Sequence, residues 1–193
     1  MSPERAVKTM KRFKLRTDLT IEVGEKTLYR IEATKDIERF GVKAGDLGGY
    51  IEKEDNLSGI AWVSGNAKVY GNAMVSEYAF VSGEAKVYGD AKVSGDAEVY
   101  GNAKVSGDDE VYGDKIEKEN DLINITSNVD SYNITITPKH IKIGCQYHSK
   151  TAWFNFTDDE IMKMDGEKAV NWWKTWKPIL KQICDSFASN EKD

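Results

Sequence analysis

Four residues in the C-terminal third of the chain have side chains that commonly bind zinc. They are His140, Cys145, His148 and Cys184. Cys145 and His148 form a Cys-x-x-His pair, a spacing at which both side chains can reach one ion. However, Cys145 follows an alternating apolar segment and Cys184 lies beside Ile183 in a helical pattern, so both are expected to be small buried residues. We therefore predict no resident metal or cofactor, with these four residues as the alternative.

Lysine and tyrosine recur at a spacing of eighteen residues in the middle of the chain. Lys68, Lys86 and Lys104 form one series, and Tyr70 and Tyr88 form a second. Ammonium groups bind phosphate oxygens and aromatic rings stack on bases, so the two series together could form a site for a small anionic nucleotide. Such a site requires a backbone that brings residues eighteen apart side by side. The alternative is a solvated charged face that interleaved acidic residues neutralise.

Large apolar side chains are concentrated in the first half of the same segment, at positions predicted to point outward. They are Trp62, Met74, Tyr78 and Phe80. A cluster of outward apolar side chains is typical of a contact surface, and a symmetric homo-oligomer, with a trimer favoured, is the simplest assembly. The alternative is that residues 20–56 fold back and cover these side chains.

A six-residue repeat defines the secondary-structure elements on which these residues lie. Valine occurs at every sixth position from 63 to 111, and alanine stands two positions earlier from 61 to 103, until Asp109 ends the series. Alternation along each four-residue strand places Ala and Val on one face and residues such as Lys and Tyr on the other. Gly-Asn and Gly-Asp pairs between the strands suit sharp corners, because both residue types tolerate positive φ.

Two backbones satisfy this repeat. In a parallel solenoid, three hexads form a triangular coil, and successive coils stack about 4.8 Å apart. In an antiparallel meander, each Gly-Asn pair is a two-residue hairpin turn, and the single sheet leaves its Ala/Val face uncovered. We therefore predict the solenoid, in which small side chains fill a narrow interior.

The segments on either side of the repeat differ in composition and are predicted to cap its ends. We expect an N-terminal extension over 1–19, an N-terminal cap over 20–56, the solenoid over 57–114 and a small α+β domain over 115–193. In that domain, residues 122–145 alternate as strands, and residues 157–160 form a capping box ahead of a Trp-rich helix. Its tryptophans are expected in the core rather than in a ligand cage, and Pro178 is expected to kink or split the helix.

Two segments resemble hexapeptide-repeat proteins encoded by bacteriophages and prophages. They are residues 43–57 (KAGDLGGYIEKEDNL) with the repeats that follow, and residues 136–145 (ITPKHIKIGC) with the helix after them. The resemblance covers about residues 25–187 and implies an accessory protein without an established catalytic activity, with no site residue to carry over. The hexads themselves resemble the signature of the left-handed parallel β-helix, which implies left-handed winding. Met10 looks like an internal start, so residues 1–9 are expected to be an extension.

Charge and cysteine content restrict the class of partner and the compartment. The chain carries 32 acidic and 27 basic residues, for a net charge of −5. Residues 57–114 carry nine acidic residues against four lysines, which disfavours duplex DNA because its binding needs a basic stripe. No apolar run approaches the ~20 residues of a membrane span, and two cysteines cannot form a disulfide framework. We therefore expect a cytoplasmic protein without a membrane partner, in the host cell if it is phage-encoded.

These patterns together favour a non-enzymatic binding protein of mainly β structure. We expect a rigid oligomeric β-helix that engages a host component, either by inhibiting a host protein or by sequestering a nucleotide signal of host defence. One alternative is a hexapeptide acyltransferase, in which a histidine near the coil acts as general base, although residues 57–114 contain no histidine. The other is a structural trimerisation module of a virion part.

Overall fold

The computed structural model describes residues 11–125 and 132–189. The predicted extension over residues 1–9 lies outside these ranges. The described residues form seventeen β-strands: β1 (Phe13–Val23), β2 (Lys26–Ala33), β3 (Leu47–Ile51), β4 (Trp62–Val63), β5 (Lys68–Val69), β6 (Met74–Val75), β7 (Phe80–Val81), β8 (Lys86–Val87), β9 (Lys92–Ser94), β10 (Glu98–Val99), β11 (Lys104–Val105), β12 (Glu110–Tyr112), β13 (Lys115–Ile116), β14 (Ile123–Ile125), β15 (Ile134–Ile136), β16 (His140–Ile143) and β17 (Gln146–Ser149). They also form two α-helices, α1 (Lys150–Asn155) and α2 (Asp158–Ser189).

The middle of the chain is a parallel β-solenoid of about four turns, which confirms the predicted fold class and excludes the meander. Its strands lie on three faces: face 1 contains β3, β5, β8 and β11; face 2 contains β4, β7, β10 and β13; face 3 contains β6, β9 and β12. Residues eighteen apart pair directly, as Lys68 does with Lys86 and Trp62 with Phe80. The left-handed winding stays a prediction.

The interior of the solenoid is a column of alanine and valine, as the repeat predicts. All the repeat valines from Val63 to Val111 are fully buried, and so are the alanines from Ala67 to Ala103. Amide groups of one coil donate to carbonyl oxygens of the next, as from the Lys68 N–H to the Ala85 oxygen at 2.9 Å. Close packing and a continuous hydrogen-bond ladder hold the outward side chains in fixed columns.

Both ends of the solenoid carry nearly the same seven-residue turn. Residues 51–57 read IEKEDNL and residues 116–122 read IEKENDL, and each begins with a buried isoleucine on the valine register. Each continues into a 3₁₀ turn in which Asn56 or Asp121 accepts a hydrogen bond from the backbone N–H three residues earlier (2.9 and 2.8 Å). The parallel strands therefore continue on both sides of residues 57–114, and on the N-terminal side the sequence indicates this through Ile51 and Leu57, which fall on the valine register.

A β-hairpin covers the N-terminal end of the solenoid. β1 and β2 are antiparallel, and β2 pairs with β3, so the hairpin extends face 1 into a six-stranded sheet. β1 crosses the predicted boundary between residues 19 and 20. Gly49 takes an inward position in the first coil, where a Cβ atom would lie 2.6 Å from the Ala67 oxygen. Glycine is therefore required there by close packing of backbone on backbone.

The C-terminal domain is an antiparallel sheet of four strands in the order β14-β15-β16-β17, with α1 and α2 packed on it. This confirms the predicted sheet and helix. Trp153, Trp173 and Leu180 are buried in its core. None of the described helices is long and apolar enough to span a membrane.

Helix α2 begins at the predicted capping box and breaks about two turns after its start. The Glu160 N–H donates to Thr157 Oγ1, and the Glu160 carboxylate accepts from the Thr157 N–H at 2.8 Å. The backbone leaves helical geometry at Asp165 and Gly166, whereas Pro178 stays within the helix. The helix is therefore not split at Pro178: the break forms at Gly166, where glycine can adopt φ +69° and ψ −161°, a region open only to glycine.

Candidate functional site

The predicted lysine column exists on face 1. Lys68, Lys86 and Lys104 pair in direct register, so their side chains follow one another up the face. The Lys68 side chain is only 18% exposed and lies 3.7 Å from the Glu84 carboxylate. Its ammonium group also donates to the Asn66 carbonyl oxygen at 3.0 Å. The lowest lysine of the column is therefore already partly neutralised by the protein itself.

The two tyrosines beside this column stack on each other. The ring centroids of Tyr70 and Tyr88 are 5.2 Å apart, and the rings are inclined by 5°. Burial raises the pKa of the Tyr70 phenol, and the neighbouring Tyr88 raises it further. Because the facing sides of both rings are occupied, a base could stack only on their outer sides.

The structure divides the predicted aromatic patch into two parts. Trp62 is 1% exposed and belongs to the same buried cluster as Ile37 and Val42 of the cap. Phe80 is half-buried, and its ring centroid lies 5.0 Å from that of Phe40. Of the two alternatives, cover by the cap therefore holds for Trp62, which does not point into solvent, and Phe80 is partly covered in the same way.

The other two members of the patch stay exposed, beside the corner between faces 3 and 2. Met74 is 45% exposed and Tyr78 is 49% exposed. Tyr112, which ends β12 near the same corner, is 50% exposed. We call the set Arg39, Met74, Tyr78, Asp96 and Tyr112 the Tyr78 edge.

The backbone at this edge is held in a conformation that ordinary residues avoid. Glu77 has φ +59° and is the one non-glycine residue with positive φ among the described residues. The equivalent corner positions above and below it are Gly95 and Gly59, both with positive φ. A left-handed conformation costs a non-glycine residue roughly 1–2 kcal/mol. The Glu77 carboxylate offsets part of this cost by accepting from the Gly95 N–H at 3.0 Å.

Contacts from outside the solenoid fix the side chains of the Tyr78 edge. The Arg39 guanidinium lies 5.1 Å from the centre of the Tyr78 ring and 2.7 Å from the Asp96 carboxylate. The Tyr112 ring lies over the next corner, so a Cβ atom on Gly95 would be 2.7 Å from it. The edge therefore joins the cap to the solenoid and presents two exposed tyrosines.

Sequence reasoning missed three residues of this edge, which are Arg39, Asp96 and Tyr112. Arg39 is in the cap, far from its contacts in the sequence, and no local pattern marks it. Tyr112 does carry a signal, since the same column holds serine at positions 58, 76 and 94 before tyrosine appears at 112. A large ring that replaces serine in a column of small residues marks a change in the surface.

A buried carboxylate joins the solenoid to the C-terminal sheet. Asp114 is fully buried and accepts hydrogen bonds from Thr137 Oγ1 at 2.7 Å and from the Lys139 N–H at 3.0 Å. His140 Nδ1 lies 2.6 Å from the same carboxylate, and the Tyr147 hydroxyl lies 3.2 Å from it. Burial raises the pKa of the Tyr147 phenol. This network fixes His140 by its Nδ1 atom as part of the junction between domains.

The other predicted metal-ligating residues lie in separate surroundings. His148 packs edge-on against the Trp153 ring at 5.3 Å. Cys184 is buried in α2, where burial raises the pKa of its thiol, whereas Cys145 is exposed, so the expectation that both are buried is wrong for Cys145. Among residues 11–125 and 132–189, no three His, Cys, Asp or Glu side chains come together as a metal site.

Comparison with protein-family models gives no match for this chain, and comparison with curated proteins gives none either. The functional argument therefore depends on the geometry of the surfaces described above.

Proposed function

We propose that this chain is a non-enzymatic binding protein whose solenoid presents the Tyr78 edge to a partner protein. The observation that carries the proposal is the strained corner at Glu77, which stands beside exposed Met74 and Tyr78. Strain of this kind persists only where the surrounding structure enforces it, and it concentrates at functional sites. An ordinary Gly-Asn corner would close the same turn without that cost.

The composition of the edge supports protein recognition. Tyrosine, methionine and arginine are enriched in the cores of protein interfaces, whereas lysine and glutamate are depleted there. Three of the six most exposed large apolar side chains in the described residues belong to this edge. Arg39 holds Tyr78 through its ring contact, so binding would lose less side-chain entropy than a freely rotating ring would.

The resemblance to phage-encoded proteins suggests what the partner is. We propose a protein of the host cell, engaged in the cytoplasm and inhibited by the contact, with self-association of this chain as the competing use of the edge. The placement of both histidines on β16 and β17, outside the solenoid, supports binding rather than acyl transfer.

Site-specific photo-crosslinking tests this proposal. A benzophenone amino acid replaces Tyr78 in one variant and Lys86 on face 1 in a matched control, and both are expressed in host cells. We expect a discrete protein adduct from position 78 and none from position 86. An adduct between two copies of this chain would assign the edge to an oligomer, and adducts of equal yield at both positions would contradict the proposal.

The lysine column supports a second candidate function, the sequestration of a small anionic nucleotide. Its support is the direct register of Lys68, Lys86 and Lys104 on one face. The lysines would carry most of this binding, since Tyr70 and Tyr88 stack on each other and leave only the outer sides of their rings to a base.

A further inference from the structure

The lysine column of face 1 continues across the N-terminal hairpin as a longer row of cations. Next to Lys68 lies Tyr50 of β3, which pairs with Arg30 of β2. Arg30 pairs in turn with Arg16 of β1. Directly opposite residues project from the same side of a sheet. The six-stranded sheet therefore carries what we call the cation row, with Tyr50 in the middle of it: Arg16, Arg30, Lys68, Lys86 and Lys104.

The cation row is longer than a single nucleotide. Neighbouring strands lie about 4.8 Å apart, so the row spans about 24 Å across six strands. One strand of B-form DNA carries a phosphate roughly every 3.4 Å, so several successive phosphates fit along this length. All the side chains of the row are partly exposed, and none is buried.

The acidic residues of the solenoid are concentrated away from this row. Three of the four lysines in residues 57–114 occupy the outward positions of β5, β8 and β11. The corresponding positions of β10 and β12, on the other two faces, hold Glu98 and Glu110. The net negative charge of the solenoid therefore belongs mainly to its corners and to faces 2 and 3, and face 1 is its basic side.

The ion pairs of the row show which cations are available to a ligand. Arg30 and Lys86 have no carboxylate partner within the described part of the chain. Arg30 donates instead to two neutral acceptors, a backbone carbonyl oxygen at 3.0 Å and the Tyr50 hydroxyl at 3.1 Å. Arg16, by contrast, is held by two carboxylates. We therefore place the ligand between Arg30 and Lys104 and leave Arg16 outside the contact.

The stacked tyrosines beside the row add a surface for a base. Tyr70 and Tyr88 follow Lys68 and Lys86 by two residues, so they lie on the same face. In the next coil this column holds Ser106 in place of a third tyrosine, so the outer side of the Tyr88 ring is not covered by another ring of the column. Stacking of a base on an aromatic ring tolerates any base sequence.

We propose that face 1 binds a single strand of nucleic acid, with successive phosphates against Arg30, Lys68, Lys86 and Lys104 and a base against the outer side of Tyr88. A single row of cations matches one phosphate backbone, whereas a duplex presents two. The surface is separate from the Tyr78 edge, so it goes beyond the proposed function, and it extends the second candidate function from a nucleotide to a strand.

Fluorescence anisotropy with labelled single strands tests this surface. The probes are oligothymidylate and oligouridylate of about twelve nucleotides, within the usual range of single-strand sites. Unlabelled competitors are thymidine monophosphate, a DNA duplex of the same length and inorganic polyphosphate. We expect both probes to bind and each competitor to displace them less effectively than the unlabelled strand does. The logarithm of the affinity should fall with the logarithm of salt with a slope of about −3, since each of about four neutralised phosphates contributes about −0.7.

Variants of the full-length chain separate the phosphate contacts from the stacked base. Lys86→Gln should weaken binding and reduce the slope by about 0.7, whereas Lys92→Gln on face 3 is the matched control and should change neither. Tyr88→Leu should weaken binding about fivefold or more through the lost stacking and keep the slope.

Four results would overturn the proposal. They are no binding of either probe at low salt, equal losses in Lys86→Gln and Lys92→Gln, an unchanged affinity in Tyr88→Leu, and competition by polyphosphate or duplex as strong as that by the strand. Equally strong competition by thymidine monophosphate would also overturn it and would leave the small nucleotide as the ligand of face 1. None of these results bears on the Tyr78 edge, which the crosslinking experiment tests by itself.

Discussion

Asp109 and Asp114 lie in the last coil at inward positions that alanine occupies in the coils before it. The register pairs Glu110 with Lys92 and Lys115 with Glu98, which places the two aspartates above Ala91 and Ala97. Both are buried. The end of the repeat is therefore a change from apolar to polar interior, and the C-terminal sheet supplies the hydrogen-bond partners that this change requires.

We expect Asp109→Asn to raise the free energy of unfolding at pH 7. Burial raises the pKa of Asp109 above its ordinary value of 3.8, against the opposing hydrogen bond from the Ser106 N–H. A carboxyl with a raised pKa stabilises the folded state fully below its unfolded pKa, and this contribution is lost as pH rises through the folded pKa. The gain from asparagine should therefore shrink as pH falls to about 4, as measured by urea denaturation.

Asp108 is the control for this measurement, because it is the exposed neighbour of Asp109. Asp108→Asn should leave the unfolding free energy nearly unchanged at both pH values. Destabilisation by Asp109→Asn at pH 7 would mean that the ionised carboxylate is needed at the junction.

We expect Asp114→Ala to lower the free energy of unfolding by about 3 kcal/mol or more. The substitution removes the buried acceptor of hydrogen bonds from the Thr137 hydroxyl and the Lys139 N–H, and hydrogen bonds to a charged group contribute about 1.5–3 kcal/mol each. Asp96→Ala is the matched control, since its exposed ion pair with Arg39 should contribute about 0–1 kcal/mol. Equal effects of the two substitutions in urea denaturation would contradict the role of Asp114 in joining the domains.

The fold could be predicted because a repeat of small apolar residues has one way to bury them all. The same logic left two alternatives for Trp62, exposed or covered, since burial of an outward side chain depends on the cap, whose contacts with it are distant in sequence. The junction was hidden for a similar reason. Asp109 is visible as the end of the alanine series, but its partner Thr135 lies in another domain. The six-residue period therefore predicts which residues share a column, whereas the segment that covers a column depends on tertiary packing.

Glu77 and Gly95 occupy equivalent corners of successive coils, so exchanging residue types at these positions predicts different changes in stability. Gly95→Ala should cost about 2 kcal/mol or more, because it adds the left-handed strain of roughly 1–2 kcal/mol to a clash with the Tyr112 ring. Glu77→Gly removes the same strain but loses the hydrogen bond to the Gly95 N–H, worth about 1 kcal/mol. The second variant should therefore stay within about 1 kcal/mol of the parent in thermal or urea unfolding. A large loss on Glu77→Gly would show that the glutamate stabilises the corner by other contacts.

The lysine column makes a prediction about ligands. If it binds a nucleotide, a panel of nucleotides should raise the melting temperature of the parent chain by mass action. The double variant Lys68→Glu/Lys86→Glu should lose that shift. Lys92→Glu on face 3 is the matched control, since it changes charge away from the column and should keep the shift. No shift of the parent with any nucleotide would remove this candidate function and leave the Tyr78 edge untouched.

The break in α2 predicts opposite effects for two substitutions in one helix. Gly166 has φ +69° and ψ −161° with open space around its Cα, so Gly166→Ala should cost about 1–3 kcal/mol from backbone strain alone. Pro178 lies inside the helix, where proline is less favourable than alanine by about 3 kcal/mol. Pro178→Ala should therefore stabilise the domain, by an amount reduced if the folded helix has relaxed around the ring. Urea denaturation of both variants checks this. Destabilisation by Pro178→Ala would show that the helix needs a bend at Pro178, as the sequence predicts.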